Sequence, residues 1–418
     1  MGTEIAEASG TGEAFWIDSP GHRRWLARDA LRSLDFFRPS IRDDGGFHTL
    51  DVDGTRLASG VQELHTTTRL VHSFALGHLA GVPDCAGVID AGMRYLVQGH
   101  RDAEFEGYLW ARDGASIVDD RKLAYGHVFV LLAASSALMA GHPEADALIL
   151  DATSNLDRHF WEEGPGLFAD EWTREWLPFS DYRGLNANMH GVEALLAAFE
   201  ATGHEVCLER AGRILDFFMG RIAPQHGWRL PEHYHADWTV DPSYSGNPMF
   251  RPPGTTPGHS FELSRLALQH WDLAGRPDSS APDAARRVTM QALADGWDDA
   301  RGGGLVYTLD HDGTPAIRDR YWWPVTEAIG AVASLIKLDR TAEDEAWYRR
   351  LWTFADAHFV DHANGGWFHE IDGEGRPTAT QFTGKPDIYH ALQADLFPLA
   401  PGLSRQACGL PKLREVAA

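Results

Sequence analysis

Apolar residues recur at helical spacing in long runs, and the runs are of two kinds. One kind is apolar nearly all round. Thr68-Arg69-Leu70-Val71-His72-Ser73-Phe74-Ala75-Leu76 is the first, closing at Ala80-Gly81-Val82-Pro83. Such a run predicts a buried helix. Equivalents start near Tyr125, Asn186, His259, Trp323 and Asp387, and stops such as Gly141-His142-Pro143 and Gly275-Arg276-Pro277 follow them. Glycine just past the last apolar position, with proline beyond, ends a helix. The second kind is amphipathic. In residues 343–359, Trp347, Leu351, Trp352, Phe354 and Ala355 stand against Arg349, Arg350, Asp356 and His358, which predicts a helix packed outside the first set.

Between the two kinds lies a repeated glycine followed by aromatic or apolar residues and often an acid. Its instances are Gly46-Phe47-His48, Gly107-Tyr108-Leu109-Trp110, Gly166-Leu167-Phe168-Ala169-Asp170, Gly227-Trp228-Arg229-Leu230, Gly304-Leu305-Val306-Tyr307 and Gly366-Trp367-Phe368-His369. The spacing is roughly sixty residues, and one interval is longer by roughly fifteen. That excess falls in residues 241–256, a Pro/Gly-rich loop directly before His259. The unit is an outer helix, a loop or short hairpin carrying the glycine, and an inner helix. Six units predict an all-α (α/α)6 toroid with short hairpin loops at one end. Its bounds are a flexible segment over residues 1–14, the barrel over 15–403 and a tail over 404–418. Parallel inner helices gather their starts at one end, which then holds Arg69, Tyr125, Asn186, His190, His259, Glu262, Trp323, Glu327 and His390. A barrel mouth is a common place for a small-molecule site, and the long loop is expected to overhang it.

Charge narrows the choice of ligand. The 418 residues carry a formal net charge of -23, which argues against nucleic acid and anionic membranes as partners. Cys85, Cys207 and Cys408 are too few for a disulfide framework, and no CxxC suggests zinc. The start of the chain lacks a signal-peptide pattern, and no run is long enough to span a bilayer, so a cytoplasmic location is expected.

The usual catalytic signatures are missing. His65 and His72, and the cluster His233-Tyr234-His235, lack metal-ligand spacing. There is no GxxxxGK[ST], no strand-anchored GxGxxG and no GxSxG. What remains is histidines with polar escorts at the inner-helix starts. Asn186 and His190 are four apart, His259 and Glu262 three apart, and Asp387 precedes His390 by three, spacings that share a helix face. An imidazole takes and returns a proton within one turnover. Arg69 offers a fixed positive fork for an oxyanion, and Trp322, Trp323 and Tyr125 offer apolar faces for sugar C–H groups.

These features resemble the N-acylglucosamine 2-epimerase superfamily, and within it the bacterial aldose–ketose isomerases acting on D-mannose and related sugars. The resemblance covers roughly residues 15–401. It rests on the repeat register and on Thr68-Arg69-Leu70, Asn186-x-x-x-His190, His259-x-x-Glu262 and Pro386-Asp387-Ile388-Tyr389-His390. It implies a barrel that works without metal or redox cofactor on a monosaccharide; the assembly expected is a monomer or homodimer. By the same resemblance His390 shuttles a proton between C2 and C1. His259, oriented by Glu262, assists ring opening and is the second acid/base. Arg69 holds O1 and O2, while Tyr125, Asn186 and His190 bind hydroxyls. Met189, Trp322, Trp323 and Glu327 complete the pocket. The expected reaction is mannose–fructose isomerisation through an enediolate. The alternatives are 2-epimerisation of a hexose or cellobiose-like sugar, isomerisation of a sulfonated hexose, glycoside hydrolysis on the same barrel, and sugar binding without turnover.

Overall fold

The chain is described by a computed structural model covering residues 4–9, 15–247 and 249–418. Twelve helices form two concentric rings. The outer ring is α1 (Pro20–Phe37), α3 (Ala86–Tyr95), α5 (Ala145–Asn155), α7 (Glu205–Leu215), α9 (Ala281–Gly296) and α11 (Ala342–His358). The inner ring is α2 (Leu64–Leu79), α4 (Ala124–Met139), α6 (Leu185–Thr202), α8 (Pro257–Leu273), α10 (Trp322–Leu338) and α12 (Tyr389–Leu399). Each inner helix packs on its inner neighbours, α12 closes against α2, and α1 backs α12. This is the (α/α)6 toroid the periodicity predicts.

The local sequence explains the ends. Pro20 and Pro257 open α1 and α8 at positions whose N–H is free anyway. The Thr341 hydroxyl caps α11 by accepting from Asp344 N at 3.1 Å. Inner helices are sheathed by other helices, so α4 is buried from Val128 to Ala137. The first inner helix starts at Leu64, four residues before the apolar run, because Leu64 N donates to Trp110 O across the mouth. That partner is invisible to local spacing.

All six repeat glycines, Gly46, Gly107, Gly166, Gly227, Gly304 and Gly366, have φ between 62° and 92°, the region that favours glycine. The turn they make feeds a short strand that stitches one unit to the next. Residues just before an inner helix pair antiparallel with residues just after the following glycine. Val61–Glu63 pairs with Ala111–Asp113, Lys122–Leu123 with Glu171–Trp172, and Arg183–Gly184 with His233–Tyr234. Thr255 bridges Leu309, and Arg320–Tyr321 pairs with Glu370–Ile371. The circle closes where Lys385 N donates to Leu50 O.

The termini differ from expectation. Within the segment expected to be flexible, Glu4–Ser9 is a helix with Ile5 buried and its N–H on Asp356 at 2.9 Å. Burying one apolar side chain there docks it. Residues 1–3 and 10–14 lie outside the described residues. The expected tail also docks: Leu413–Ala417 is a helix against α1, Leu413 is buried, and its N–H reaches Ala80 O at 3.0 Å. Among the described residues no helix is long and apolar enough to cross a membrane.

Candidate active site

The mouth of the inner ring gathers the polar starts of the six helices, and tertiary pairing sorts them into dyads. On α12, His390 points Nδ1 at Glu327 Oε1 of α10, 2.8 Å away. A carboxylate on Nδ1 holds the proton there and leaves Nε2 as the base. His390 is buried, which lowers its pKa below the ordinary imidazole value, partly offset by the Glu327 hydrogen bond. It is therefore a neutral base at neutral pH. Glu327, expected among the sugar contacts, is instead spent within the protein: Oε1 serves His390 and Oε2 accepts from Arg265 at 3.2 Å.

His259 opens α8, and its partner is not the one local spacing suggests. Nδ1 lies 2.9 and 3.0 Å from the two oxygens of Glu232. Glu262, three residues on, faces the barrel interior, with Oε1 3.4 Å from His190 Nδ1 and 3.9 Å from Arg265. The assignment of Glu262 as the residue orienting His259 is corrected to Glu232. A backbone stitch delivers Glu232: its carbonyl accepts from Leu185 N at the start of α6, and its N–H donates to Gly254 O. Trp323 packs near both histidines, with ring centroids 5.1 Å from His259 and 5.9 Å from His390. The indole is part-exposed and gives the site an apolar wall. Trp322 lies edge-on to His390 and to His369 and is buried.

Arg69 is held by two hydrogen bonds and two aromatic rings. Nη1 donates to Asp387 at 3.1 Å and Nη2 to Tyr125 Oη at 2.9 Å. Its guanidinium lies 4.8 Å from the Phe129 ring centre and 4.7 Å from that of Tyr389. The charge neighbours raise its pKa further, so it is a permanent cation. Asp387 thus serves Arg69, while Glu327 serves His390. Tyr125 accepts from Arg69 and keeps its own proton to donate.

On α6, His190 Nδ1 lies 3.4 Å from Glu193, and burial holds the imidazole down at about 4, neutral at neutral pH. Asn186, one turn earlier, is part-exposed, and its buried Oδ1 has no hydrogen-bond partner among the described residues. Met189 differs from expectation. It is wholly buried in the apolar core. It packs as part of the wall behind the site.

Sequence reasoning missed Glu232, Glu193 and Arg265. The signal was present. Glu193 and Arg265 follow His190 and Glu262 at helical spacing, and Glu232 is the acid five residues after Gly227, as Glu171 is after Gly166. The stitch exposes a general rule: Trp110, Asp170, Glu232 and His369 all offer their carbonyls to an inner-helix start. Trp110 stacks on His65 at 5.1 Å, so the same position also furnishes the rim. The long loop is fastened there by Arg251 on Glu171 at 2.9 Å, by His233 Nε2 near Pro252 O at 2.6 Å, and by the Tyr307 hydroxyl on Met249 O.

Two trios, His190–Glu193–Glu262 and Glu262–Glu327–His390, bring their ligand atoms within 4.8 Å of one another. The guanidinium of Arg265 stands beside them as the counter-charge. The constellation supplies two neutral buried imidazoles, His190 and His390, each beside a carboxylate, together with a fixed cation. It is equipped to move a proton between carbons next to an oxyanion.

Comparison with known proteins extends this picture. Residues 45–394 match the family described as N-acylglucosamine 2-epimerase (GlcNAc 2-epimerase). A D-mannose isomerase of Thermobifida fusca is 42% identical over 400 residues, covering 93% of this chain and 98% of that protein. One of Pseudomonas cannabina pv. alisalensis is 37% identical over 408 residues, covering 94% and 97%. A crystal structure of a D-mannose isomerase superposes with a TM-score of 0.84 at 31% identity, covering 90% of this chain and 97% of the other.

Proposed function

The chain belongs to the N-acylglucosamine 2-epimerase family, and from that membership we propose that it is an aldose–ketose isomerase interconverting D-mannose and D-fructose. Its relatives at 42% and 37% identity are D-mannose isomerases. The observation that carries the chemistry is the His390–Glu327 dyad, a buried neutral base whose Nδ1 is already committed.

The reaction moves one proton from C2 to C1 and one from O2 to O1, and it needs no external oxidant. His259, steadied by Glu232, assists opening of the sugar ring. His390 then takes the proton from C2 of the open aldose. The C2–H electron pair becomes a C1–C2 double bond as the C1 carbonyl becomes an oxyanion. Arg69 and the Tyr125 hydroxyl hold O1 and O2 through this enediolate. His390 returns the proton to C1, the O2 proton passes to O1, and C2 becomes the ketone. Glu327 stabilises the imidazolium formed between the two transfers. Asn186 and His190 hold the remaining hydroxyls, and Trp323 packs on the sugar's C–H face. Epimerisation at C2 would need a second base reaching that carbon from the opposite face, a part His259 would take.

Incubation with D-mannose in D2O, followed by NMR, tests the reading. Fructose should accumulate, with part of the original H2 retained at C1. Glucose as the main product would replace isomerisation with epimerisation, and bound but unchanged mannose would remove catalysis altogether.

A further inference from the structure

Three carboxylates from successive inner helices form a row under the site: Glu193 on α6, Glu262 on α8 and Glu327 on α10. Their donors are unevenly dealt. Glu193 accepts from the Tyr389 hydroxyl and from Gln393 at 3.4 Å, and faces His190 at the same distance. Glu327 takes His390 and Arg265. Glu262 lies between them, fully buried, and among the described residues neither of its oxygens has a hydrogen-bond partner. Arg265 is 3.9 Å away and turned to Glu327.

The groups facing Glu262 can be taken helix by helix. They are Arg265 on α8 itself, Arg69 from α2, Tyr125 from α4, and His190 and Glu193 from α6. Glu327 comes from α10, and Tyr389 and His390 from α12. The permanent cations are Arg265 and Arg69, and Asp387 already pairs Arg69. An ionised Glu262 would be an unpaired buried charge between two others, which is costly. A proton on it removes the charge and supplies a donor to the row.

We propose that Glu262 is held as the neutral acid and acts as a positioning residue, keeping a single charged carboxylate behind His390. Burial first, and then Glu327 and Glu193, push its pKa well above the ordinary range, in keeping with the geometry. Its role in turnover rests on the isomerase reading: a third negative charge would oppose the enediolate and trap His390 as imidazolium. The protonation itself does not rest on that reading.

Glu262→Gln and Glu262→Ala test it. At pH 7 the infrared spectrum should show a carboxylic-acid carbonyl band in the wild type that Glu262→Gln lacks. Stability supplies the sign. The folded pKa lies above the unfolded value of about 4.3, so the unfolded chain releases its proton first as pH rises. Wild-type stability then falls relative to Glu262→Gln, and the Tm advantage of the variant should widen from about pH 5 to about pH 8. The amide, also neutral and a donor, should keep kcat on mannose at least about tenfold above the alanine variant. No difference in the acid band, a narrowing Tm gap, equal losses in both variants, or a divalent ion bound at Glu262 in the purified protein would each overturn the proposal. Melting and infrared need no sugar, so an inactive isomerase reading and an ionised Glu262 give different results.

Discussion

His390 and Glu327 sit 63 residues apart in the chain, and their contact makes the base. As the carrier of the C2 proton, His390 has a direct test. His390→Asn should lower kcat on mannose by about 10²–10⁴-fold with the helical spectrum intact, and sugar binding should persist through Arg69, Asn186 and His190. Wild-type kcat with His390→Asn would sink the assignment. The pH profile follows from burial. A base must be unprotonated to work, and the lowered pKa of His390 keeps it so, so kcat/KM should hold as pH falls to about 6.5 and decline only below it. The His259 partner gives a second test. Glu232→Gln replaces a charge-assisted bond of about 1.5–3 kcal/mol, so kcat/KM should drop roughly 10- to 100-fold. Wild-type kinetics in that variant would show that His259 needs no carboxylate.

Among the elements, the repeat turn is secured by side chains of differing chemistry. The amide after the glycine donates to Gln62 Oε1 at 2.7 Å in the first unit and to His127 Nε2 at 3.1 Å in the second, and in the third the next amide along, Phe168 N, donates to Asn188 Oδ1 at 2.7 Å. Only His127 titrates, and burial holds it down at about 3. The unfolded chain binds that proton near pH 6.5 and the fold refuses it, so stability is lost as pH falls below that value. His127→Gln, which can still accept from Tyr108 N, should remove about 1.4 kcal/mol of this loss per pH unit between 6.5 and about 4. Urea titrations at the two ends of that window measure it. An unchanged acid sensitivity would mean the protonation cost lies elsewhere.

For the whole molecule, the rings close by contacts between chain ends. α12 meets α2, and the C-terminal helix caps α1 far from the mouth, beside Ala80. Deleting residues 411–418 exposes the pocket of Leu413, whose burial is worth about 1.5–3 kcal/mol. The midpoint of urea unfolding should fall accordingly while kcat on mannose holds, because no site residue lies at that end. A matching loss of kcat without loss of stability would show that the two ends of the barrel are coupled.

The architecture was legible in the sequence because it is written in contiguous residues. Apolar runs of helical period, glycines at a regular spacing and stops such as Gly275 each act locally, and a buried helix or a left-handed turn needs nothing from afar. The candidate site was legible as a set of residues at inner-helix starts, since a helix start is also local. Its wiring was not. Glu232 meets His259 across 27 residues, Tyr389 meets Glu193 across 196, and Arg69 meets Asp387 across 318. Spacing along one helix suggested Glu262 for His259, where the structure puts Glu232. Which carboxylate serves which imidazole depends on ring closure, which brings the starts of six helices together. Whether each group is charged depends on burial and on those neighbours. These are through-space quantities, and only the tertiary structure decides them.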